Sequence, residues 1–341
     1  MLPTMNASSP LSQSRLTSPR TPLAIWSIRY TPLGSDMQSG YLVQLPTAKG
    51  CKAHRVIFDP IFAQYAYPSN IMNGLARRLP PPCSISQLPE IDFVVVSHNH
   101  YDHCDLEALS VLWKRSKADR PIKFLVPLGL KSLLMSAGIP KSAIVELDWW
   151  DSVAYPCAGG QEVTLACTPC QHTSGRGVFD QKGTLWSSWV VQQKSPDSDL
   201  MASVYHAGDT GYQTAAGPCP AFKEIGDKYG PFDLAMIPIW RGASLSFVSS
   251  WGYKLSDDSH LATTHASPED AVLLTKDIRA RHSLAMHFAT WAGSDHEAFE
   301  PQYRLIQARS GDWHEEGGFG VIDIGESVVI SVARPDTSQR S

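Results

Sequence analysis

The chain has 341 residues, 43% of them hydrophobic and 18% charged, which is enough apolar material for a core and excludes a wholly disordered chain. Twenty-nine Lys and Arg against 33 Asp and Glu leave a net charge of −4, so no basic field points to nucleic acid. Apolar runs are short or broken by charge, as at Lys131 within Lys123–Ile139, so no transmembrane helix is expected. The seven cysteines, at 51, 83, 104, 157, 167, 170 and 219, are odd in number and scattered. They read as free thiols of a reducing, intracellular compartment rather than as a disulfide framework. The same holds for Cys167-Thr-Pro-Cys170, which has no second pair to complete a metal or redox site.

Residues 1–22 are rich in Ser, Thr and Pro and contain no acid, so they are expected to be disordered, as is the tail 335–341. The basic, acid-free start also has some character of a mitochondrial leader, although prolines at 3, 10, 19 and 22 oppose the amphipathic helix a leader needs. Residues 23–334 are read as a single domain. Strands are predicted at Tyr41–Leu45, Arg55–Phe58, Asp92–Ser97, Lys123–Val126, Val163–Cys167, Leu185–Gln192, Ala202–Ala207, Leu234–Ile237, Ser283–His287 and Gly320–Ile324. Helices are predicted at Leu106–Lys117, Gly129–Ala137, Pro218–Tyr229, Pro268–Ala280 and Phe299–Ala308. Ser267 can cap the fourth helix, Pro268 suits its first turn, and Glu269 and Asp270 face its positive end. Strands and helices interleave throughout, which argues for one α/β unit.

The strongest chemical signal is Ser97-His98-Asn99-His100-Tyr101-Asp102-His103. It lies between a buried-strand run, Phe93–Val96, and a helix start at Asp105-Leu106. Three imidazoles and a carboxylate on one strand-to-helix loop suit Zn²⁺ or another borderline divalent metal. Further donors follow at predicted strand ends: His172 after Thr164–Pro169, Asp209 in His206-Ala207-Gly208-Asp209, and His287. Taken singly, each reads as a hydrogen-bonded or turn residue. In this order after the first motif, they support one another as ligands.

That series is the ligand pattern of the metallo-β-lactamase fold, and further segments are closer still to one family. Asp59-Pro-Ile-Phe62, Val126-Pro-Leu-Gly129, Glu146-Leu-Asp-Trp-Trp-Asp151, Ala207-Gly-Asp-Thr-Gly-Tyr212, Phe222-Lys-Glu-Ile-Gly226, Gly230-Pro-Phe-Asp-Leu-Ala235 and Ser267-Pro-Glu-Asp-Ala271 resemble the N-acylphosphatidylethanolamine-hydrolysing phospholipase D family. The resemblance runs from about residue 55 to 305. It implies a four-layer αβ/βα sandwich, two mixed sheets flanked by helices, with two zinc ions at one edge. On the family pattern His98, His100 and His172 hold one zinc, Asp102, His103 and His287 the other, and Asp209 bridges. Asp102 and Asp209 are then the catalytic carboxylates, acting with a bridging hydroxide. Asp59 is expected to orient a ligand histidine from behind.

The implied reaction hydrolyses N-acylphosphatidylethanolamine to an N-acylethanolamine and phosphatidic acid. The implied partners are a phospholipid substrate, a peripheral membrane surface and a second copy of the chain in a homodimer. His265 matches a family histidine that meets the substrate. Most of the tryptophans are expected to pack in the core. The Ser-, Gly- and aromatic-rich stretch Trp240–His260 reads as a lid or acyl-chain entrance, with Trp251 and Phe247 as substrate contacts. His54, His206, His260, His282, His296 and His314 receive no function. The family's opening Trp-x-Gly-His is missing, since Asp36-Met37-Gln38-Ser39 precedes Gly40. That departure bears on membrane attachment and dimer contacts rather than on the ligands. Two other readings compete: a hydrolase of this fold acting on a lactone, thioester or small phosphodiester, and a non-catalytic binding protein.

Overall fold

The computed structural model describes residues 23–26, 40–47, 51–66, 76–157, 160–195, 198–240, 259–292 and 294–332. The ends expected to be disordered, and Trp251 and Phe247, lie outside them. Described strands are β1 (Leu23–Trp26), β2 (Tyr41–Gln44), β3 (Arg55–Phe58), β4 (Phe93–Val95), β5 (Lys123–Pro127), β6 (Ile144–Leu147), β7 (Ser152–Pro156) and β8 (Glu162–Thr168). They continue as β9 (Ser188–Ser195), β10 (Ser198–His206), β11 (Gln213–Thr214), β12 (Gly217–Pro218), β13 (Leu234–Pro238), β14 (His282–Met286), β15 (Gly318–Gly320) and β16 (Ser327–Ile330). The α-helices are α1 (Leu106–Lys114), α2 (Lys131–Ser136), α3 (Pro220–Tyr229), α4 (Ser259–Ala262), α5 (Pro268–Asp277) and α6 (Asp295–Ala308).

Two seven-stranded sheets carry the fold, in the orders β16-β1-β2-β3-β4-β5-β6 and β15-β14-β13-β10-β9-β8-β7. Period-two alternation sorts the first sheet's side chains. Tyr41, Val43, Val56, Phe58, Phe93, Val95 and Leu125 turn to one cluster, shared with Leu165, Trp189, Val191, Val204, Met236 and Leu284 of the second sheet. Leu42, Ile57, Val94, Phe124 and Val126 turn the other way and meet Leu109 and Leu112 of α1 and Leu134 of α2. On the second sheet's far side, Phe222 and Ile225 of α3 and Ala271 and Leu274 of α5 join the shared cluster. The layers are therefore helices, sheet, sheet, helices, as the family resemblance implies.

Strand direction decides where the functional loops emerge. β3, β4, β5 and β6 are mutually parallel, as are β10, β13, β14 and β15. β8 is antiparallel to β9, which is antiparallel to β10, so β8 runs with β10. The C-terminal ends of β3, β4, β8, β10 and β14 consequently open on one edge. Cross-sheet hydrogen bonds join the halves there and beneath: Ser187 N–H to the Ser97 carbonyl (2.9 Å), Trp189 Nε1 to the Val96 carbonyl (3.2 Å) and the Tyr41 hydroxyl to the Ala285 carbonyl (2.7 Å).

The structure corrects several predicted elements. β1, β6, β7 and β16 were not expected. α1 ends at Lys114 rather than 117, where Ser116 turns its hydroxyl to accept from Ile122 N–H (2.9 Å). α5 ends at Asp277 rather than Ala280, because Arg279 takes a left-handed φ of 59°. α6 begins four residues before Phe299, capped by Ser294, and carries Pro301 inside it. β9 is shifted to 188–195, and β15 occupies 318–320 instead of 320–324.

Candidate metal centre

Every candidate ligand comes from a strand end at the common edge. The His98–His103 loop leaves β4, His172 follows β8, Asp209 follows β10 and His287 follows β14. Two groups result. His98, His100, His172 and Asp209 form one, and Asp102, His103, Asp209 and His287 the other, with the donor atoms of each group within 4.8 Å of one another. Asp209 belongs to both. Its Oδ2 lies 4.0 Å from His98 Nε2 and 3.7 Å from His172 Nε2 on one side, and 3.1 Å from both His103 Nε2 and His287 Nε2 on the other. Asp102 Oδ2 is 3.3 Å from His287 Nε2 and 3.7 Å from His103 Nε2.

The chain holds these side chains from behind. Asp59 Oδ2 accepts from His103 Nδ1 (2.8 Å) and from the Ser97 hydroxyl (2.6 Å), while its Oδ1 accepts the Ser97 N–H (2.7 Å). The Ser97 oxygen in turn sits 2.9 Å from His98 Nδ1 and accepts its proton. One carboxylate thus fixes ligands of both groups, with each histidine's Nε2 left facing the site. His172 is set the same way, donating from Nδ1 to the Thr264 carbonyl (2.8 Å). Asp105 caps α1 through Ala108 N–H (3.0 Å) and also accepts from Phe62 and Ala63 N–H, tying the segment after Asp59 to the metal loop.

Backbone shape is equally specific. Asp59 and His287 both have left-handed φ, 38° and 57°, which non-glycine residues rarely adopt. Gly208, two residues beyond β10, has φ 60°, and a Cβ there would stand 2.7 Å from the Ser187 carbonyl oxygen. The Gly208 N–H donates to His206 Nδ1 (3.2 Å), and the His206 ring stacks on Phe58 at 4.8 Å. His206, given no function from sequence, is therefore part of what sets the Asp209 turn.

Do these residues fit a metal? Burial, and the crowding of neighbouring histidines, hold His98 well below the ordinary histidine range, and burial also lowers His172 and His100. All three are neutral donors, the form that binds cations. In the other group burial opposes charge, yet Asp209 and Asp102 raise His103 well above its usual value and His287 to about 9. The same pairings hold both carboxyls ionised against the cost of burial. Asp209 Oδ1 and His287 Nδ1 are buried with no hydrogen-bond partner among the described residues. A buried, imidazole-rich cluster with two ionised carboxylates and an orphan carboxylate oxygen fits divalent cations, which would take the place of the protons on His103 and His287.

The remaining expectations divide. His265 stands at the rim, its Nε2 3.4 Å from Asp209 Oδ2 and its ring 5.0 Å from that of His172 and 5.6 Å from that of His287. Trp240 is half-buried with its ring 6.1 Å from His287. Trp149 and Trp186 pack edge to face, and Trp186 Nε1 donates to the Cys170 carbonyl (3.1 Å), steadying the segment before His172. Cys167 and Cys170 are buried free thiols. Ser97, Thr264 and His206 are the supporting residues that the sequence reading missed. Only Ser97 carried a signal, its place beside the motif.

The four-layer sandwich and this edge define a metallohydrolase of the metallo-β-lactamase fold. Residues 54–288 match the beta-lactamase superfamily domain. Solved structures agree at the level of fold: a metallo hydrolase from Ignicoccus hospitalis (TM-score 0.52, 19% identity, covering 92% of this chain and 100% of that one) and an isothiocyanate hydrolase from Delia radicum gut bacteria (TM-score 0.54, 16% identity, 91% and 100%). Within that superfamily, the chain belongs to the N-acyl-phosphatidylethanolamine-hydrolysing phospholipase D family. It is 34% identical over 292 residues to phospholipase D 1 of that name from Caenorhabditis elegans, covering 84% of this chain and 73% of the relative. It is 29% identical to the mitochondrial enzyme of that name from Saccharomyces cerevisiae, covering 74% of this chain and 47% of the relative. An uncharacterized Mycobacterium tuberculosis protein matches at 35%, covering 75% and 59%. Among the described residues, no helix is long and apolar enough to cross a membrane.

Proposed function

We propose that this chain is a zinc-dependent phosphodiesterase that hydrolyses N-acylphosphatidylethanolamine to an N-acylethanolamine and phosphatidic acid at a membrane surface. The observation that carries the reading is the pair of donor groups sharing Asp209, in a chain related along most of its length to enzymes named for this reaction. His98, His100, His172 and Asp209 would hold one ion, and Asp102, His103, His287 and Asp209 a second. The donor set of imidazoles and carboxylates suits zinc. Two divalent ions there would supply Lewis acidity, ionising a water near neutral pH and offsetting charge on the phosphoryl oxygens.

The protein's own groups do the rest. Asp59, Ser97 and Thr264 fix imidazole orientation, so the site is preorganised before substrate arrives. In the overall reaction a water oxygen adds to phosphorus, the bond from phosphorus to the ethanolamine oxygen breaks, and that oxygen takes up a proton. His265 belongs to neither donor group and reaches Asp209 from the rim, where a substrate oxygen would meet its ring N–H.

Incubation with N-acylphosphatidylethanolamine and product identification by mass spectrometry tests the reading. Both products should form, and both should vanish in Asp102→Asn and in metal-stripped protein. Protein that holds two metals per chain yet leaves this lipid intact would overturn the proposed reaction.

A further inference from the structure

The segment from His172 to β9 contains an ordered turn with an unburied tip. The Asp180 carboxylate accepts the N–H groups of Arg176 (2.8 Å) and Gly177 (2.7 Å), and Gln181 Nε2 donates to the Gly177 carbonyl (2.7 Å). Lys182 N–H donates to the Ser174 carbonyl (2.8 Å), and the Ser174 hydroxyl to the Thr184 carbonyl (2.6 Å). The base of the turn is fastened to the metal motif. Gly175 N–H donates to Asn99 Oδ1 (2.7 Å), and Arg176 Nη1 donates to the carbonyls of Asn99 (3.1 Å) and Cys104 (3.0 Å). The Arg176 guanidinium also lies 3.9 Å over the Tyr101 ring. Asn99 and Tyr101 are the two motif positions between the ligands, and they are what this turn holds. Yet the tip leaves Val178 84% exposed and Phe179 wholly exposed.

So much internal order around two adjacent, unburied apolar side chains calls for an occupant outside the chain. We propose that Val178 and Phe179 insert into the lipid surface that carries the substrate and seat the metal edge against it. This rests on the phospholipid reading above. A convex tip of two side chains is far short of the roughly 800 Å² per partner that a stable protein interface buries. Interfacial insertion needs only apolar residues that reach the acyl boundary, with cationic or polar flanks at headgroup level. Lys182 is exposed on the tip's flank, and Asp180 is taken up by backbone N–H groups. Leu128 is 40% exposed beside the loop's return, where its carbonyl accepts Leu185 N–H (2.8 Å). Because Asn99 and Tyr101 are bolted to the turn, its depth in the lipid also fixes the height of His98, His100 and Asp102 above the headgroups.

The test is co-sedimentation of the full chain with vesicles of phosphatidylcholine and phosphatidylserine that contain no N-acyl lipid. V178D/F179D should partition about tenfold more weakly than wild type, or worse, while V178L/F179L should bind like wild type. Thermal melts should coincide for all three, since neither side chain packs against the protein. Wild type that stays in the supernatant, or V178D/F179D that sediments equally, overturns the proposal. So does a shift from dimer to monomer in V178D/F179D with vesicle binding unchanged, which would make the tip a contact between copies. Wild-type turnover of detergent-dispersed N-acylphosphatidylethanolamine is measured separately, so a wrong reaction and a wrong docking tip give different failures.

Discussion

Asp59 shows how much one residue can carry. Its two oxygens hold Ser97 and His103 directly and His98 through the Ser97 hydroxyl, so its loss releases an imidazole from each donor group at once. Asp59→Asn should weaken metal binding about 10- to 100-fold, read by competition with a chromophoric chelator, while the melting temperature of chelator-treated protein changes less. Asp92 offers a pH-dependent case away from the site. Burial pushes its carboxyl up, but His54 and Arg120 outweigh that and hold it below the ordinary value, helped by Arg55 N–H at 2.8 Å. A folded-state value below the unfolded one gives stability that is present above about pH 4 and is lost as pH falls further. The gap in melting temperature between wild type and Asp92→Asn should therefore be full at pH 6 and close towards pH 3.

At the scale of elements, the ends of strands and helices do the positioning. Ser267 caps α5, its hydroxyl accepting Asp270 N–H (3.2 Å) while Asp270 Oδ2 accepts Ser267 N–H (3.2 Å), with Pro268 in the first turn. Ser267→Ala should cost about 1 kcal/mol, measured by denaturant unfolding. The turn after β10 is less forgiving. Gly208→Ala meets both a left-handed φ and the Ser187 carbonyl at 2.7 Å, and should cost at least about 1–3 kcal/mol and misplace Asp209. A melt alongside metal titration separates the two effects. The helix and strand ends that the sequence reading misplaced have local causes. Nothing at Ile278 marks the end of α5, since no glycine supplies the left-handed position that Arg279 takes instead. Pro301 argues for a helix start near it, whereas the cap at Ser294 lies two turns upstream.

At the scale of the molecule, the site is a seam between two sheets, and metal should act as a clasp across it. His98, His100, Asp102 and His103 come from the first sheet, and His172, Asp209 and His287 from the second. Ligands that bind only the folded state add about 2.7 kcal/mol at a hundredfold excess over Kd. Chelation should accordingly lower the melting temperature by several degrees, and zinc should restore it. An unchanged melt in protein shown by elemental analysis to have lost its metal would refute the clasp.

The sequence by itself determined the parts that are local. The Ser97–His103 run is seven residues long and sits on one loop, so its chemistry was legible without any tertiary knowledge. β2, β3 and β4 were legible as short apolar runs within Tyr41–Leu45, Arg55–Phe58 and Asp92–Ser97, while the fold decided which of their side chains meets which cluster. His172, Asp209 and His287 stood out by their positions at predicted strand ends, and Asp59 by family resemblance. Tertiary structure alone decided the rest, because those features are contacts between residues far apart in the chain. β1 is a four-residue apolar run whose partner strand β16 lies some 300 residues away, and β7 alternates exposed and half-buried positions, so neither announces itself as a strand from its local surroundings. Thr264 presents only a backbone carbonyl to His172, which any residue type could offer. The tip at Val178 and Phe179 reads in sequence as two ordinary apolar residues. Only the folded chain, which orders the turn around them and buries neither, sets them beside the metal edge.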